Sequence, residues 1–405
     1  MMTTHKKRSV RGLAAIAIAS VFALSACGAT DSGSSSGEAS EDPFKILYIA
    51  GLSGGAVNTD VTQAFEASVE LINEKGGLLG REVEVEFADS QNDATKAVTV
   101  LQEYLQSNPK PDLVIPGVGT GEALALLPVL TREKILAIST ASSPLLDDPE
   151  EYPYFFSVSA RQDALFTAAS EFLEDKGDVK KIALVVTDNA LRQAAEPQFT
   201  EKMTAAGFET TVIPFDPANV NVAPAFTKAK EWGADWIYFE SFGESTAHGF
   251  AGREKAGAED IPMLGGSGVA VSDFLDFATD AQRENFFPIL YPVAATTAEE
   301  DRDAGFNAFY DALSPVEELP LKLGSYSFFW DMPQVWAAGV RQADSVETEA
   351  VTDALTNLEV QDSDAMWVTW QKLYGPDTHF PIISSDEFTI AEVAGMEDRM
   401  YVIKE

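Results

Sequence analysis

The chain has 405 residues, 45% of them hydrophobic, and carries 64 acidic against 28 basic side chains, a formal net charge of −36. So large a negative excess repels phosphates and anionic headgroups, which excludes nucleic acid as a partner and an electrostatic grip on a lipid surface. One cysteine allows no disulfide within the chain, so packed cores must carry the stability, and the length suits two lobes.

In chain order, the first feature is a basic cluster of His5, Lys6, Lys7, Arg8 and Arg11, followed by an apolar run from Leu13 to Leu24 that is too short for a bilayer-spanning helix. Small residues Ser25 and Ala26 then precede Cys27. This layout resembles the lipobox of bacterial lipoprotein signal peptides, in which the cysteine thiol is diacylated and becomes the mature N-terminus. The resemblance implies that residues 1–26 are a signal peptide, that Cys27 is the lipidation site, and that the protein is held on the extracytoplasmic face of the cell membrane. Residues 27–42 are Gly, Ser and acid without apolar periodicity, a flexible tether.

From Pro43 onward, short apolar runs alternate with amphipathic stretches. Phe44 to Ala50 predicts a strand, and Val61 to Lys75 a helix with Val61, Phe65, Val69 and Ile72 on one face. Glu82 to Phe87 alternates acid with apolar residues, as a strand with one buried face would. A helix through Val98, Leu101 and Leu105 follows, then a strand Leu113 to Pro116, a helix Gly121 to Arg132, a strand Ile135 to Ser139 and a further apolar run Tyr154 to Ser159. The rhythm restarts with a helix Ala164 to Leu173, strand Ile182 to Thr187, helix Pro197 to Ala206, strand Thr211 to Phe215, helix Ala223 to Trp232 and strand Trp236 to Glu240. Phe306 to Ala312 and Tyr326 to Val340 read as further helices. Strands alternating with helices imply parallel sheets built from right-handed crossovers, and two such runs imply an α/β chain with two doubly wound lobes.

Gly51-Leu52-Ser53-Gly54-Gly55 fits the G-x-S-x-G pattern of a hydrolase nucleophile elbow, with His248 or His379 as the base. The competing reading is a glycine-rich turn at the end of a first strand, since residues 55–61 are too polar to start a helix at once. Gly117-Val118-Gly119-Thr120-Gly121 lacks both the last glycine of a dinucleotide fingerprint and the Lys-Ser/Thr of a P-loop. No His/Cys/Asp spacing suggests a metal, and no cofactor is expected. Ser53, Thr120 and the run Ser139-Thr140-Ala141-Ser142-Ser143 all follow apolar strands, so they collect at the carboxyl edge of one sheet, where open α/β folds bind ligands. Hydroxyls and backbone N–H groups at helix starts favour a small anionic group such as a carboxylate, although each hydroxyl could equally cap its own helix.

Ile46 to Asp89, with Ile72-Asn73, Gly76-Gly77, Gly80-Arg81 and Asp89, resembles the N-terminal signature of the leucine/isoleucine/valine-type periplasmic binding proteins. The likeness continues through Val114 to Thr120, Ile138 to Pro144, Tyr154 to Val158 and Ile182 to Asp188. It implies the type I periplasmic binding protein fold: lobe 1 from 43–159 and 293–370, lobe 2 from 160–292 and 371–405, joined by a hinge that closes over a small-molecule ligand. It further implies a monomeric solute receptor of an ABC importer, working with a membrane permease and catalysing nothing. The ligand would be an amino acid or a related acid or amide. Thr120, Ala141, Ser142 and Ser143 would clamp its carboxylate, with Ser53 beside them and Asn189, Glu240 and Ser267 contributing from the second lobe, Glu240 as the acid for an α-ammonium group. A lipid-anchored serine hydrolase using Ser53, and a ligand-sensing lipoprotein without transport, remain as alternatives from the residues alone.

Overall fold

In the computed structural model, the described residues are 42–53, 59–295, 302–315, 323–358, 367–370 and 372–404. The expected signal peptide, Cys27 and the expected tether up to residue 41 lie outside them.

The first lobe begins with β1 (Phe44–Ala50), α1 (Thr59–Glu74), β2 (Val83–Asp89), α2 (Ala94–Ser107), β3 (Leu113–Pro116), α3 (Thr120–Glu133), β4 (Ala137–Ser139) and β5 (Phe155–Ser157). β1 and β3 are buried along nearly their whole length, because helices cover both faces of a parallel sheet. β2 alternates apolar and acidic residues and forms one edge, so its charges stay wet and discourage further pairing. Phe65, Val69 and Ile72 are buried on α1, as the helical spacing predicts. The Gly-Gly-x-x-Gly-Arg motif between α1 and β2 is a tight turn. Gly77 has φ +75°, and a Cβ there would come within 2.0 Å of the Arg81 carbonyl oxygen, so only glycine fits.

The second lobe follows with α4 (Gln162–Glu174), β6 (Lys181–Thr187), α5 (Ala190–Ala205), β7 (Glu209–Phe215), α6 (Ala223–Trp232), β8 (Trp236–Glu240), α7 (Glu244–Lys255), β9 (Met263–Gly265), α8 (Ser267–Ala270), α9 (Phe274–Phe277) and β10 (Phe286–Leu290). One residue pins its lower half. Arg253, fully buried on α7, donates through its guanidinium to the carbonyls of Gln282 (3.1 Å), Glu284 (3.0 Å), Glu259 (2.9 Å) and Ile261 (2.9 Å), which fastens the turns flanking β9 and β10.

The chain then returns for α10 (Ala304–Leu313), α11 (Leu323–Ala343) and α12 (Thr348–Thr356), and ends in β11 (Thr389–Ile390), β12 (Val393–Glu397) and β13 (Met400–Ile403). α11 packs on α1: Ser68 Oγ donates to the Trp330 carbonyl at 2.7 Å, and Gln334 Nε2 donates to the Ser68 carbonyl at 2.9 Å. No helix among the described residues is long and apolar enough to cross a membrane.

The sheet orders are β2-β1-β3-β4-β5 and β11-β10-β9-β8-β6-β7, parallel throughout except for β11, which runs antiparallel to β10. The two lobes therefore repeat one doubly wound plan. In each, the strand order reverses at one place, between β1 and β3 in the first lobe and between β6 and β8 in the second. Loops diverging there leave a crevice at the carboxyl edge.

Two expectations differ from what is observed. α5 begins at Ala190, not at Pro197: Asn189 caps it, and Pro197 lies inside the helix. Residues 374–380 were expected with the second lobe but cover the free edge of β5. Ser157 N–H donates to the His379 carbonyl (2.9 Å), and the His379 ring stacks on Phe156 with centroids 4.0 Å apart. Tyr374 and Phe380 pack on Phe156 and Phe155. An apolar edge strand needs such a cover.

The crossings between lobes are tied together. Arg161 Nη1 donates to Asp147 Oδ2 at 2.6 Å while its Nε and Nη2 reach Asp163 at 2.7 and 3.0 Å. Asp147 also accepts from Thr378 Oγ1 at 2.7 Å and from the His379 N–H at 2.9 Å.

Candidate functional site

Ser53, just after β1, is exposed and gives its hydroxyl proton to Asp89, whose other oxygen accepts the N–H groups of Leu52 and Gln91, each at 3.0 Å. The hydrogen bond from Ser53, with those backbone donors and Lys96, holds the Asp89 carboxyl down at about 2. This is a carboxylate organising a turn. Neither histidine is arranged to activate Ser53: the His379 ring is held by the Phe155 carbonyl at 2.9 Å, and His248 lies on α7 of the other lobe.

Thr120 is the first residue of α3. Gly119 occupies the cap position and no side chain caps this end. A Cβ built on Gly119 or on Gly121 would meet nothing within 4 Å, so the start of α3 faces open space. Thr120 is half-buried there and is not the cap residue.

The loop after β4 is knitted inward. Ser139 Oγ donates to the Gly117 carbonyl (3.3 Å) and accepts the Ala141 N–H (3.1 Å), while the Ala141 carbonyl accepts from Ser157 Oγ (2.9 Å). Ser143, fully buried, caps the short turn Pro144–Leu146 by accepting the Leu145 N–H at 3.4 Å. The Ala141 N–H and the Ser143 hydroxyl are therefore used within the loop, whereas the Ser142 side chain is half-buried at its surface.

In the second lobe Asn189 Oδ1 accepts the Arg192 N–H at 3.2 Å, an N-cap of α5. Glu240 ends β8 and is 2% exposed. Its Oε1 accepts the Gly268 N–H at 2.9 Å; its Oε2 accepts the Ser267 N–H at 3.0 Å, with Gln162 Nε2 at 3.4 Å and Ser267 Oγ at 3.5 Å. Burial pushes this carboxyl up to about 7 against the pull of those donors. Gly266 and Gly268 make the wrapping possible: a Cβ on Gly266 would lie 2.0 Å from Glu240 Oε2, and one on Gly268 would lie 2.3 Å from the Ser241 carbonyl oxygen. Phe242, at the second reversal of strand order, is 45% exposed.

Gln162, which the sequence reading does not single out, joins the two edges. Its N–H donates to the Ser142 carbonyl of the first-lobe loop (3.1 Å), and its side chain reaches Glu240 in the second. It is fully buried, and its Oε1 has no protein partner. No spacing or motif in the sequence marks it, because its partners Ser142 and Glu240 come from two different sheet edges. Glu122, in the first turn of α3, is also buried, which raises its pKa against the hydrogen bond from Ser90.

The periplasmic binding protein family matches residues 43–385. The chain belongs to that family. Among similar proteins is the Leu/Ile/Val-binding protein BraC3 of Rhizobium johnstonii, 25% identical over 316 residues that cover 76% of this chain and 82% of the relative. Among solved structures, the branched-chain amino acid transporter substrate-binding protein LivJ of Streptococcus pneumoniae, in complex with isoleucine, superposes with a TM-score of 0.70 at 20% identity and covers 89% of this chain and 98% of its own. An ABC transporter solute-binding protein from Rhodopseudomonas palustris, in complex with 4-hydroxybenzoate, gives a TM-score of 0.70 at 18% identity, covering 90% of this chain and 96% of its own. The fold is the type I periplasmic binding protein fold expected from the sequence, and this periplasmic binding protein is a substrate-binding protein and not an enzyme. The hydrolase alternative for Ser53 falls with that.

Proposed function

We propose that this chain is the extracytoplasmic receptor of an ABC importer, anchored by lipid on Cys27, and that it captures a small carboxylate-bearing solute between the two carboxyl edges. One observation carries the reading: Gln162 hydrogen-bonds to Ser142 in the first-lobe loop and to Glu240 in the second, so the two crevices meet at one place. The start of α3 supplies the anion site, where Thr120 offers a hydroxyl, the first-turn N–H groups offer backbone donors and the helix dipole favours negative charge. Ser142 and Ser53 flank it, while Ala141 and Ser143 shape the loop from behind. Contacts from both lobes favour the closed arrangement over the open one, and the cognate permease reads that state.

A thermal-shift screen of small carboxylic acids, amino acids and amides tests the capture, since a solute at a hundred times its dissociation constant stabilises the fold by roughly 2.7 kcal/mol. The absence of any shift across the screen would count against it. Detergent partitioning tests the anchor: Cys27→Ser is expected to leave the detergent phase, and retention equal to that of the parent would contradict lipidation.

A further inference from the structure

A carboxylate held at the start of α3 has a carboxyl group for a neighbour. Glu122 stands in the first turn of that helix, 5% exposed, and its Oε1 is sealed from solvent without a hydrogen-bond partner among the described residues. The side chain folds back over Gly117, the residue after β3: a Cβ there would come within 2.7 Å of Glu122 Oε2 and within 2.9 Å of its Cβ and Cδ. Gly117 also has φ +76°, so glycine is required by the backbone and again by the side chain that crosses it. The carboxyl is thus built into the floor of the first crevice, where the strand order reverses between β1 and β3.

Few groups face it. Ser90, after β2, hydrogen-bonds to it, Asp93 at the cap of α2 adds a like charge, and the buried hydroxyl of Tyr48 on β1 feels its field. α5 of the other lobe also packs on α3, but its charges are paired with one another, Arg192 holding both Asp188 at 2.9 Å and Glu196. Among the described residues no cation compensates Glu122. Burial raises its pKa, with Ser90 opposing and Asp93 adding. A buried carboxylate without a counter-charge is disfavoured, and a second negative charge close to it is disfavoured further.

We propose that Glu122 couples solute capture to a proton: as the solute's carboxylate settles on Thr120 and the first-turn N–H groups of α3, Glu122 takes one proton from solvent and becomes a neutral acid. The inference rests on the reading of the start of α3 as the anion site and deepens it, because the receptor then grips carboxylates more tightly as its surroundings acidify. Since Oε1 is sealed, the side chain acts on the solute through its charge and not by contact. A bound anion lifts the Glu122 pKa above its value in the free protein. Affinity is therefore constant below the free value, falls by about tenfold per pH unit between the two values and is constant again above the bound one. A cationic group of the solute seated on Oε1 would need the ionised carboxyl and would give the opposite dependence, with affinity rising with pH.

The test uses the full-length protein in detergent and three named carboxylates: isoleucine, 4-hydroxybenzoate, and acetate as the smallest anion the helix start could hold. Isoleucine and 4-hydroxybenzoate are titrated calorimetrically, and acetate is read by melting against equal chloride, from about pH 6, where all three carboxylates are ionised, to about pH 8.5. For whichever of them binds, affinity is expected to fall about ten- to a hundredfold across that range. Heats measured near neutral pH in phosphate and in Tris, which differ in ionisation enthalpy, are expected to report uptake of up to about one proton. Glu122→Gln is expected to abolish both effects and to bind more tightly than the parent at the alkaline end. Asp93→Asn keeps a capping side chain on α2 but removes the like charge, and is expected to move the pH profile downward.

Affinity that is independent of pH, or that rises with it, overturns the inference and leaves the receptor reading intact. Proton uptake that survives Glu122→Gln, or a profile unmoved by Asp93→Asn, places the proton on another group, such as Glu240 across the cleft, and overturns it too. Failure of all three carboxylates to bind overturns the anion site at α3 and the inference together.

Discussion

The two sheets share one strand order, but their carboxyl edges are finished differently. On the first, α3 starts at a glycine cap with open space around Gly119 and Gly121, and Thr120 sits in its first turn without a capping duty. On the second, the polar side chains at the strand ends are spent locally: Asn189 caps α5, Ser241 and Ser245 share a hydrogen bond at 2.6 Å, and Glu240 holds the start of α8. One topology thus yields two kinds of edge, an open one able to grip an anion and a self-satisfied one able to close over it. The same residue types do both jobs; local satisfaction of the backbone decides which.

The contrast can be broken first through the frame of the second lobe. Arg253→Met strips four partly buried backbone carbonyls of their donor, and losing these hydrogen bonds to a charged group is expected to cost about 3–5 kcal/mol in denaturant unfolding. If the open first edge does the gripping, affinity measured on the folded fraction stays near that of the parent.

Next comes a buried carboxyl that, like Glu240, serves backbone. Asp331 on α11 accepts the N–H groups of Val368 and Thr369 at 2.8 and 2.9 Å together with the Thr369 hydroxyl, and burial raises its pKa to about 7. The folded value lies above the unfolded one, so its contribution is complete below about pH 3.8 and is lost as pH rises through about 7. The stability deficit of Asp331→Asn relative to the parent is therefore expected to shrink by on the order of 2–4 kcal/mol between about pH 4 and about pH 8. A deficit independent of pH, in chemical unfolding at several pH values, would show that Asp331 does not titrate in that window.

Smaller still, Thr120→Ala removes one hydrogen bond to a charged group, about 1.5–3 kcal/mol of binding, with little change in melting because Gly119 holds the cap position. Asn189→Ala loses a cap, about 1 kcal/mol of stability, with affinity preserved.

Much of this architecture is legible in the sequence. β3, α6 and β8 fall on the residues that their apolar runs predict, because a strand buried on both faces and a helix with one apolar stripe leave strong periodic marks. The start of α5 was hidden, since Ala190 to Glu196 carries helix-forming residues but little apolar periodicity, and Pro197 looks like a first-turn proline. The cover on β5 was hidden too: Tyr374, His379 and Phe380 form no periodic element and matter only through an edge far away in sequence. At the site, hydroxyls after strands were visible as a class. Which of them face inward, as Ser143 does, depends on turn geometry that spacing does not encode. Gln162 acquires its role only when two lobes meet.

The most direct test of the difference between the edges is calorimetric titration of Thr120→Ala and Asn189→Ala, side by side, with a solute identified by the screen. An open first edge and a self-satisfied second edge predict that Thr120→Ala binds roughly ten- to a hundredfold more weakly than the parent while Asn189→Ala binds as the parent does. Equal losses in the two variants, or a loss confined to Asn189→Ala, would contradict it.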